Sequence, residues 1–173
     1  MSHAGSTVDA REFARLGQVL EGRVPVARFA RLGPSLCSHD GDVIFRLRGL
    51  TDARGNQALE LEIEARLTVI CQRCLGELVL SLDACNRMRL VDAETAWSAE
   101  DAEFGDHEIG DVAVDEIVAS PALDVMNLLE DELLLSLPVA PRHDHCELAG
   151  AGSGIPRESP FGVLAHLKKR AGK

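Results

Sequence analysis

The sequence predicts an α+β fold: a twisted antiparallel sheet, or a partly rolled barrel, packed by an acidic helix and followed by a short C-terminal helix. Three observations indicate this class. Residues 59–71 alternate between apolar and polar side chains, as expected for a half-buried strand. Residues 77–91 repeat that alternation. Residues 121–137 change to a helical period, with leucines on one side and acidic residues on the other.

The first third of the chain predicts one short helix and two strands. Phe13, Leu16 and Leu20 recur with a weak helical period. Residues 21–29 are predicted to form an edge strand, because Pro25 has no N–H to donate to a central ladder. Residues 42–50 predict a strand whose two faces differ, with apolar Phe45 and Leu47 against basic Arg46 and Arg48.

The strongest signal is a pair of long alternating strands. Apolar side chains occupy the odd positions from Leu59 to Cys71, and the even positions of the second strand from Leu78 to Ala84, then Met88 and Leu90. These segments are predicted to pair as an antiparallel hairpin with residues 71–76 at its tip.

The second half of the chain predicts a loop, a strand and the acidic helix. Residues 92–107 are polar and acidic around Trp97, and residues 108–118 predict a short strand. Ser120 is the expected N-cap of the helix, with Pro121 at its first position. Pro138 is expected to end it after Leu137.

These elements predict a single domain over residues 1–147. A Gly/Ala-rich flexible linker is expected at 148–159, and a basic C-terminal helix or tail at 160–173. The first 14 residues lack the apolar core of a signal peptide, and no apolar run approaches the length that crosses a bilayer. A cytoplasmic location is therefore expected, with the five cysteines present as thiols or metal ligands.

Charge is distributed unevenly over the 173 residues, whose net charge is −10. Residues 1–91 contain 12 arginines and 11 acidic residues, whereas residues 92–173 contain 6 basic and 17 acidic residues. Aromatic residues make up only 3% of the chain, which argues against a base-stacking platform. An anionic partner is expected at the first half or the basic end, and a basic partner at the acidic second half.

Cysteine and histidine spacing points to a candidate metal site. The pair Cys71 and Cys74, in a CxxC turn, supplies half of a tetrahedral zinc site. The dense segment 143–146 can supply the rest through Cys146 and either His143 or His145. Three alternatives stay open, namely inert thiols at a hairpin tip, a redox pair and an enzyme built on the cluster. A thioredoxin-like pair is disfavoured because that motif begins a helix, whereas this one joins two strands.

Two charged sets are candidate partner surfaces. Bidentate guanidinium contacts suit phosphate, so the arginines and the basic tail are candidates for RNA contact. The candidates are Arg46, Arg48, Arg66, Arg73, Lys168, Lys169 and Arg170. Glu60, Glu62 and Glu64 on the neighbouring strand are expected to neutralise much of the arginine face. Glu130, Asp131 and Glu132 form a candidate docking strip for a basic partner, with simple core packing of the helix as the alternative.

Three blocks of sequence resemble the YceD family, the large ribosomal RNA subunit accumulation proteins. The first is a strand entering a CxRC turn at 67–74. The second is Ile-Gly-Asp-Val at 109–112 followed, from 128 to 146, by an acidic leucine-rich helix, two prolines, a histidine and a cysteine. The third is the Pro-Phe-Gly-Val-Leu segment that begins at residue 160. The resemblance extends over about residues 12–170.

This resemblance implies a non-enzymatic ribosome-biogenesis factor that promotes synthesis, processing or accumulation of 23S ribosomal RNA. The expected partner is precursor large-subunit rRNA or a basic ribosomal protein, with no membrane and no small-molecule substrate. The alternative is a protein-interaction module that has a structural zinc site and makes no direct RNA contact.

Overall fold

A computed structural model of the chain describes residues 7–53, 55–93 and 115–146. Its strands, numbered in chain order, are β1 Thr7–Val8, β2 Val19–Pro25, β3 Leu36–Ser38, β4 Asp42–Thr51, β5 Gln57–Ile70, β6 Glu77–Val91, β7 Asp115–Val118 and β8 Leu123–Asp124. Its helices are α1 Ala10–Arg15 and α2 Val125–Ser136. The predicted α+β class is confirmed.

The main sheet has the strand order β2-β4-β5-β6-β7, and β3 pairs with the end of β5 that extends beyond β4. Among the described strands this order is open, so the sheet does not close into a barrel. The predicted antiparallel pairing is present between β2, β4, β5 and β6, and the sheet adds β7, which runs parallel to β6. A separate two-stranded ribbon joins β1 to β8.

The predicted hairpin is confirmed with its tip at 71–76. Strands β5 and β6 pair continuously from Ala58 opposite Arg89 to Ile70 opposite Glu77. Every odd-numbered side chain from Leu59 to Val69 is buried, which agrees with the alternation in the sequence. A shift of register by one residue would move that whole row to the solvent face, so the pattern fixes the pairing.

One face of the sheet is covered by α1, the segment between β2 and β3, and α2. The core contains Phe13 of α1, Phe29 and Leu32 of the covering segment, and Leu129 and Leu133 of α2, each at most 4% exposed. The opposite face of the sheet, here called the outer face, carries the charged side chains of the strands. β2 lies at the sheet edge, as Pro25 predicted.

The predicted start of the acidic helix is wrong. Helix α2 begins at Val125, and its N-cap is Asp124, whose carboxylate accepts hydrogen bonds from the N–H groups of Met126 and Asn127. Ser120 instead accepts from the Ala122 N–H in a turn. The physical reason is tertiary, because Leu123 and Asp124 are held extended by pairing with β1.

Several predicted segments lie outside the described residues. They are Trp97 with most of its loop, the start of the 108–118 strand, the 148–159 linker and the 160–173 tail. In the described ranges, neither helix is long and apolar enough to cross a membrane.

Helix α1 lies against β4 at a glycine. A Cβ on Gly49 would stand 2.7 Å from the Ala14 Cα and closer still to the Phe13 carbonyl oxygen. The Gly49 N–H also donates to the Gln18 carbonyl at 2.9 Å. The absence of a side chain at Gly49 is therefore what lets the helix backbone approach the sheet.

Replacing Gly49 with Ala should push α1 off the sheet and lower the free energy of unfolding by about 2–3 kcal/mol, the cost of overpacking. Gly17→Ala is the matched control, because no atom lies within 4 Å of the added Cβ and only the positive φ of +59° is strained. We expect Gly17→Ala to lower the free energy of unfolding by about 1 kcal/mol. Urea denaturation measures both, and equal losses would contradict the close-approach argument.

Candidate metal centre and charged surfaces

The hairpin tip is a tight turn that brings two cysteines together. The Cys71 N–H donates to the Gly76 carbonyl, and the Leu75 N–H donates to the Cys71 carbonyl, both at 2.9 Å. Leu75 has a left-handed φ of +60°, which turns the chain just after Cys74 so that β6 can run back along β5. The turn therefore directs both thiols to one side of the tip.

The loop after α2 is fastened onto this tip. The Gln72 N–H donates to the Pro141 carbonyl at 2.8 Å. The guanidinium of Arg73 donates to the carbonyls of His143 and Asp144 at 3.3 and 3.4 Å. These bonds bring the segment 141–146 alongside the tip, although it is about seventy residues away along the chain.

Four predicted ligands converge where the tip and the loop meet. The sulfurs of Cys71, Cys74 and Cys146 and a ring nitrogen of His143 all lie within 4.8 Å of one another. Cys71 Sγ is 3.8 Å from Cys146 Sγ, and Cys74 Sγ is 3.4 Å from His143 Nδ1. Around a tetrahedral zinc ion, two sulfur ligands lie about 3.8 Å apart, and a sulfur and a nitrogen ligand lie about 3.6 Å apart.

The histidine alternative is resolved by the ring contacts. His143 Nε2 is 3.0 Å from the Glu77 carbonyl oxygen, which can only accept, so Nε2 carries the proton. Nδ1 is left unprotonated beside Cys74, the arrangement that metal-binding histidines adopt. His145 is exposed and is absent from the cluster.

The electrostatics of the cluster favour a thiolate at Cys71. The Cys74 N–H, with further N–H groups of His143 and Arg73, holds the pKa of Cys71 down to about 5 against the effect of burial. The Gly76 N–H lowers the pKa of Cys74, but desolvation and the sulfurs of Cys71 and Cys146 outweigh it and leave the pKa raised.

Arg73 supplies the counter-charge. Its Nε donates to Cys146 Sγ at 3.0 Å, and this bond raises the pKa of the guanidinium. Three thiolates and a neutral imidazole around Zn²⁺ carry a net charge of −1, so one arginine balances them. The structure places Arg73, predicted as an RNA contact, beside the Cys₃His cluster. Sequence reasoning did not foresee this role, because its partners come from a distant loop.

Most arginines of the outer face are in ion pairs. Glu60, only 8% exposed, accepts from both Arg48 and Arg87, the latter at 2.7 Å. Arg46 donates to Glu21 at 2.6 Å. Arg66 is exposed and forms no hydrogen bond or ion pair with another described residue. Lys168, Lys169 and Arg170 lie outside the described residues.

The predicted acidic docking strip divides into a buried and an exposed part. Glu130 is 7% exposed and accepts from the N–H groups of Arg31 and Leu32 at 2.6 and 3.1 Å, and from Arg31 Nε at 3.0 Å. It therefore clamps the segment between β2 and β3 onto α2. Asp131 pairs with Arg31 at 2.6 Å, and Glu132 accepts from Asn86 at 3.0 Å.

The fold and the cluster define an open-sheet α+β domain with a Cys₃His centre that ties a hairpin tip to a distant loop. Residues 59–168 match the family described as large ribosomal RNA subunit accumulation protein YceD, so the chain belongs to the YceD family. The match includes the CxxC turn, α2 and the Pro-Phe block. It begins at residue 59, whereas the resemblance seen in the sequence begins at about residue 12. No solved structure matches the chain.

Replacing Glu60 with Gln should destabilise the domain by about 1–2 kcal/mol at neutral pH. The effect is modest because both guanidinium groups are about half exposed. Hydrogen bonds from Arg87 and Arg48 lower the pKa of Glu60 below its ordinary 4.5. The stabilisation is therefore complete above pH 4.5 and is lost as the pH falls through the lower folded-state pKa.

Urea denaturation of the wild type and Glu60→Gln across this pH range measures the effect. The difference between the two proteins should be constant at neutral pH and shrink below pH 4.5. Glu62→Gln, an exposed neighbour on the same strand, is the matched control and should change little. A difference that stays constant down to about pH 3 would show that the charge of Glu60 is not what stabilises the fold.

Proposed function

We propose that the protein is a non-enzymatic, cytoplasmic factor that promotes 23S rRNA synthesis, processing or accumulation by contacting precursor large-subunit rRNA or a ribosomal protein bound to it. Membership of the YceD family carries the proposal, since the family description names accumulation of the large ribosomal RNA subunit. The proposed organisation is one domain over 1–147, a linker at 148–159 and a basic tail at 160–173.

We also propose that the Cys₃His cluster holds a structural zinc ion. Cys71, Cys74, His143 and Cys146 supply the four donors, and their separations suit a tetrahedral ion. The full set of four protein ligands leaves no open position for a substrate, which favours a structural rather than a catalytic role. Zinc would join the hairpin tip to the loop after α2 and stabilise both.

The metal proposal predicts one zinc per chain in protein purified without chelator, measured by elemental analysis. Cys74→Ser and Cys146→Ser should each lose most of the metal. Cys37→Ser and Cys85→Ser are matched controls, because those two cysteines are exposed and lie outside the cluster. They should retain it. Circular dichroism separates loss of the ion from loss of the fold, and metal-free wild-type protein would overturn the proposal.

A second candidate function is docking of a basic protein without RNA contact. Asn86 donates to Asp115 at 2.9 Å and to Glu132 at 3.0 Å, so two carboxylates converge on one neutral amide. Within the described residues neither carboxylate is in an ion pair. They border a groove of ≈ 330 Å³ between β7 and α2, where Leu135 is 78% exposed. A Lys- or Arg-rich segment complements this groove.

Purification of the tagged full-length protein from cells, with and without ribonuclease, distinguishes the two candidates. Direct RNA contact predicts recovery of 23S rRNA that ribonuclease abolishes together with the co-purifying ribosomal proteins. Protein docking predicts that ribosomal proteins are still recovered after ribonuclease treatment and are no longer recovered with the Glu132→Lys variant. Recovery of neither large-subunit rRNA nor its proteins would contradict both.

A further inference from the structure

We propose that RNA phosphate is bound at the tip end of the hairpin, on a surface formed by Arg66, Thr68, Ile70, Val79, Ser81 and Arg142, here called the tip surface. This inference rests on the proposed function and names the site through which the domain itself meets RNA. It also separates Arg66 from the other arginines that the sequence predicted as RNA contacts.

The location follows from where positive charge is available. Eight arginines of the described residues form ion pairs: Arg11, Arg15, Arg23, Arg31, Arg46, Arg48, Arg87 and Arg89. Arg73 donates to a thiol and two carbonyls. Arg66 and Arg142 are exposed, and no acidic group in the described part of the chain accepts from either. An ion-paired arginine must give up its carboxylate before it binds phosphate, whereas these two need not.

The rows of the hairpin around Arg66 contain no acid. On the outer face, Arg66 is opposite Ser81 and Thr68 is opposite Val79. Towards the middle of the hairpin the next row is Glu64 opposite Asp83, and at the tip it is Ile70 opposite Glu77. Asp42, where β4 begins, already accepts from Arg23 at 3.4 Å. The two intervening rows therefore carry one arginine and no acid, while Glu64, Asp83 and Glu77 border them along the hairpin and Asp40 accepts from Ser38 beside Thr68.

The side chains in these rows have the chemistry that binds a nucleic-acid backbone. Directly opposed residues on antiparallel strands place their Cβ atoms about 5 Å apart, so one phosphate can reach Arg66 and the Ser81 hydroxyl together. Arginine and hydroxyl side chains make the phosphate contacts that position a protein on nucleic acid without reading its sequence. Ile70 and Val79, 38% and 51% exposed, offer apolar contact to the sugars.

Arg142 extends the surface around the tip. The Pro141 carbonyl accepts from the Gln72 N–H at 2.8 Å, and the His143 ring contacts the Glu77 carbonyl, so Arg142 lies at the tip itself. Arg66 is five residues before Cys71 on an extended strand, a distance of about 17 Å. The two arginines can therefore contact phosphates a few nucleotides apart, and the metal centre fixes Arg142 relative to the hairpin.

The test uses full-length protein and deproteinised 23S rRNA in a filter-binding assay over a range of salt. Arg66→Ala with Arg142→Ala should weaken binding at least tenfold. It should also reduce the slope of log K against log salt by about 1.5, the contribution of two phosphate contacts. Arg46→Ala with Arg15→Ala removes the same charge from ion-paired, exposed positions and should change binding less than about threefold. Zinc content and melting temperature of both double variants should match the wild type.

The outcomes separate this inference from the proposed function. If the wild type binds the rRNA and both double variants bind it equally well, the tip surface is not the RNA site. Direct RNA contact elsewhere on the protein is then still supported. A wild type that does not bind the naked rRNA overturns direct RNA contact, and the tip surface with it. If Arg66→Ala with Arg142→Ala abolishes a particle association that survives ribonuclease, the surface binds a protein, and the assignment to RNA is wrong.

Discussion

The junction between the hairpin tip and the loop after α2 is the constraint on which the rest of the site depends. It joins segments about seventy residues apart through the Gln72–Pro141 hydrogen bond, the Arg73 contacts and the four converging ligands. Without it the tip would be a solvent-exposed turn, and the loop 141–146 would lose its hydrogen bonds to the hairpin. Closing so long a loop is entropically costly. The hydrogen bonds at the junction offset part of that cost, and the proposed zinc ion would add to them.

Most arginines in the described part of the chain are compensated by carboxylates, which changes the meaning of the net charge. An overall −10 argues against indiscriminate nucleic-acid binding. The structure adds that the arginines are also largely unavailable, because Glu21, Glu60, Glu116 and Glu130 accept from them. The buried Glu60 and Glu130 hold strands and a loop in place, so these pairs belong to the fold. Any RNA contact must then come from few cations at defined places, a basis for selectivity rather than for tight general binding.

Periodicity was sufficient to predict the long hairpin, its tip and the inward row of side chains, because a half-buried strand must alternate. It also predicted that Cys71 and Cys74 lie in the same turn. The start of α2, the parallel pairing of β7 and the Arg31–Glu130 clamp were not predictable in the same way. Each depends on a contact between distant segments: β8 with β1, β7 with β6, and α2 with the segment after β2. Local sequence records a residue's own burial, but not which distant partner it meets.

The Cys₃His cluster illustrates how local sequence and distant contacts combine. CxxC spacing fixes one half of the site locally, in a turn closed by the Cys71–Gly76 and Leu75–Cys71 backbone hydrogen bonds. The other half arrives from beyond α2, so its position depends on the helix packing correctly against the sheet. Glu130 anchors that helix by accepting the Arg31 and Leu32 N–H groups. The candidate site therefore depends on the core outwards: the core positions α2, and the loop after α2, which carries Arg142, His143 and Cys146, then meets the tip that carries Arg73.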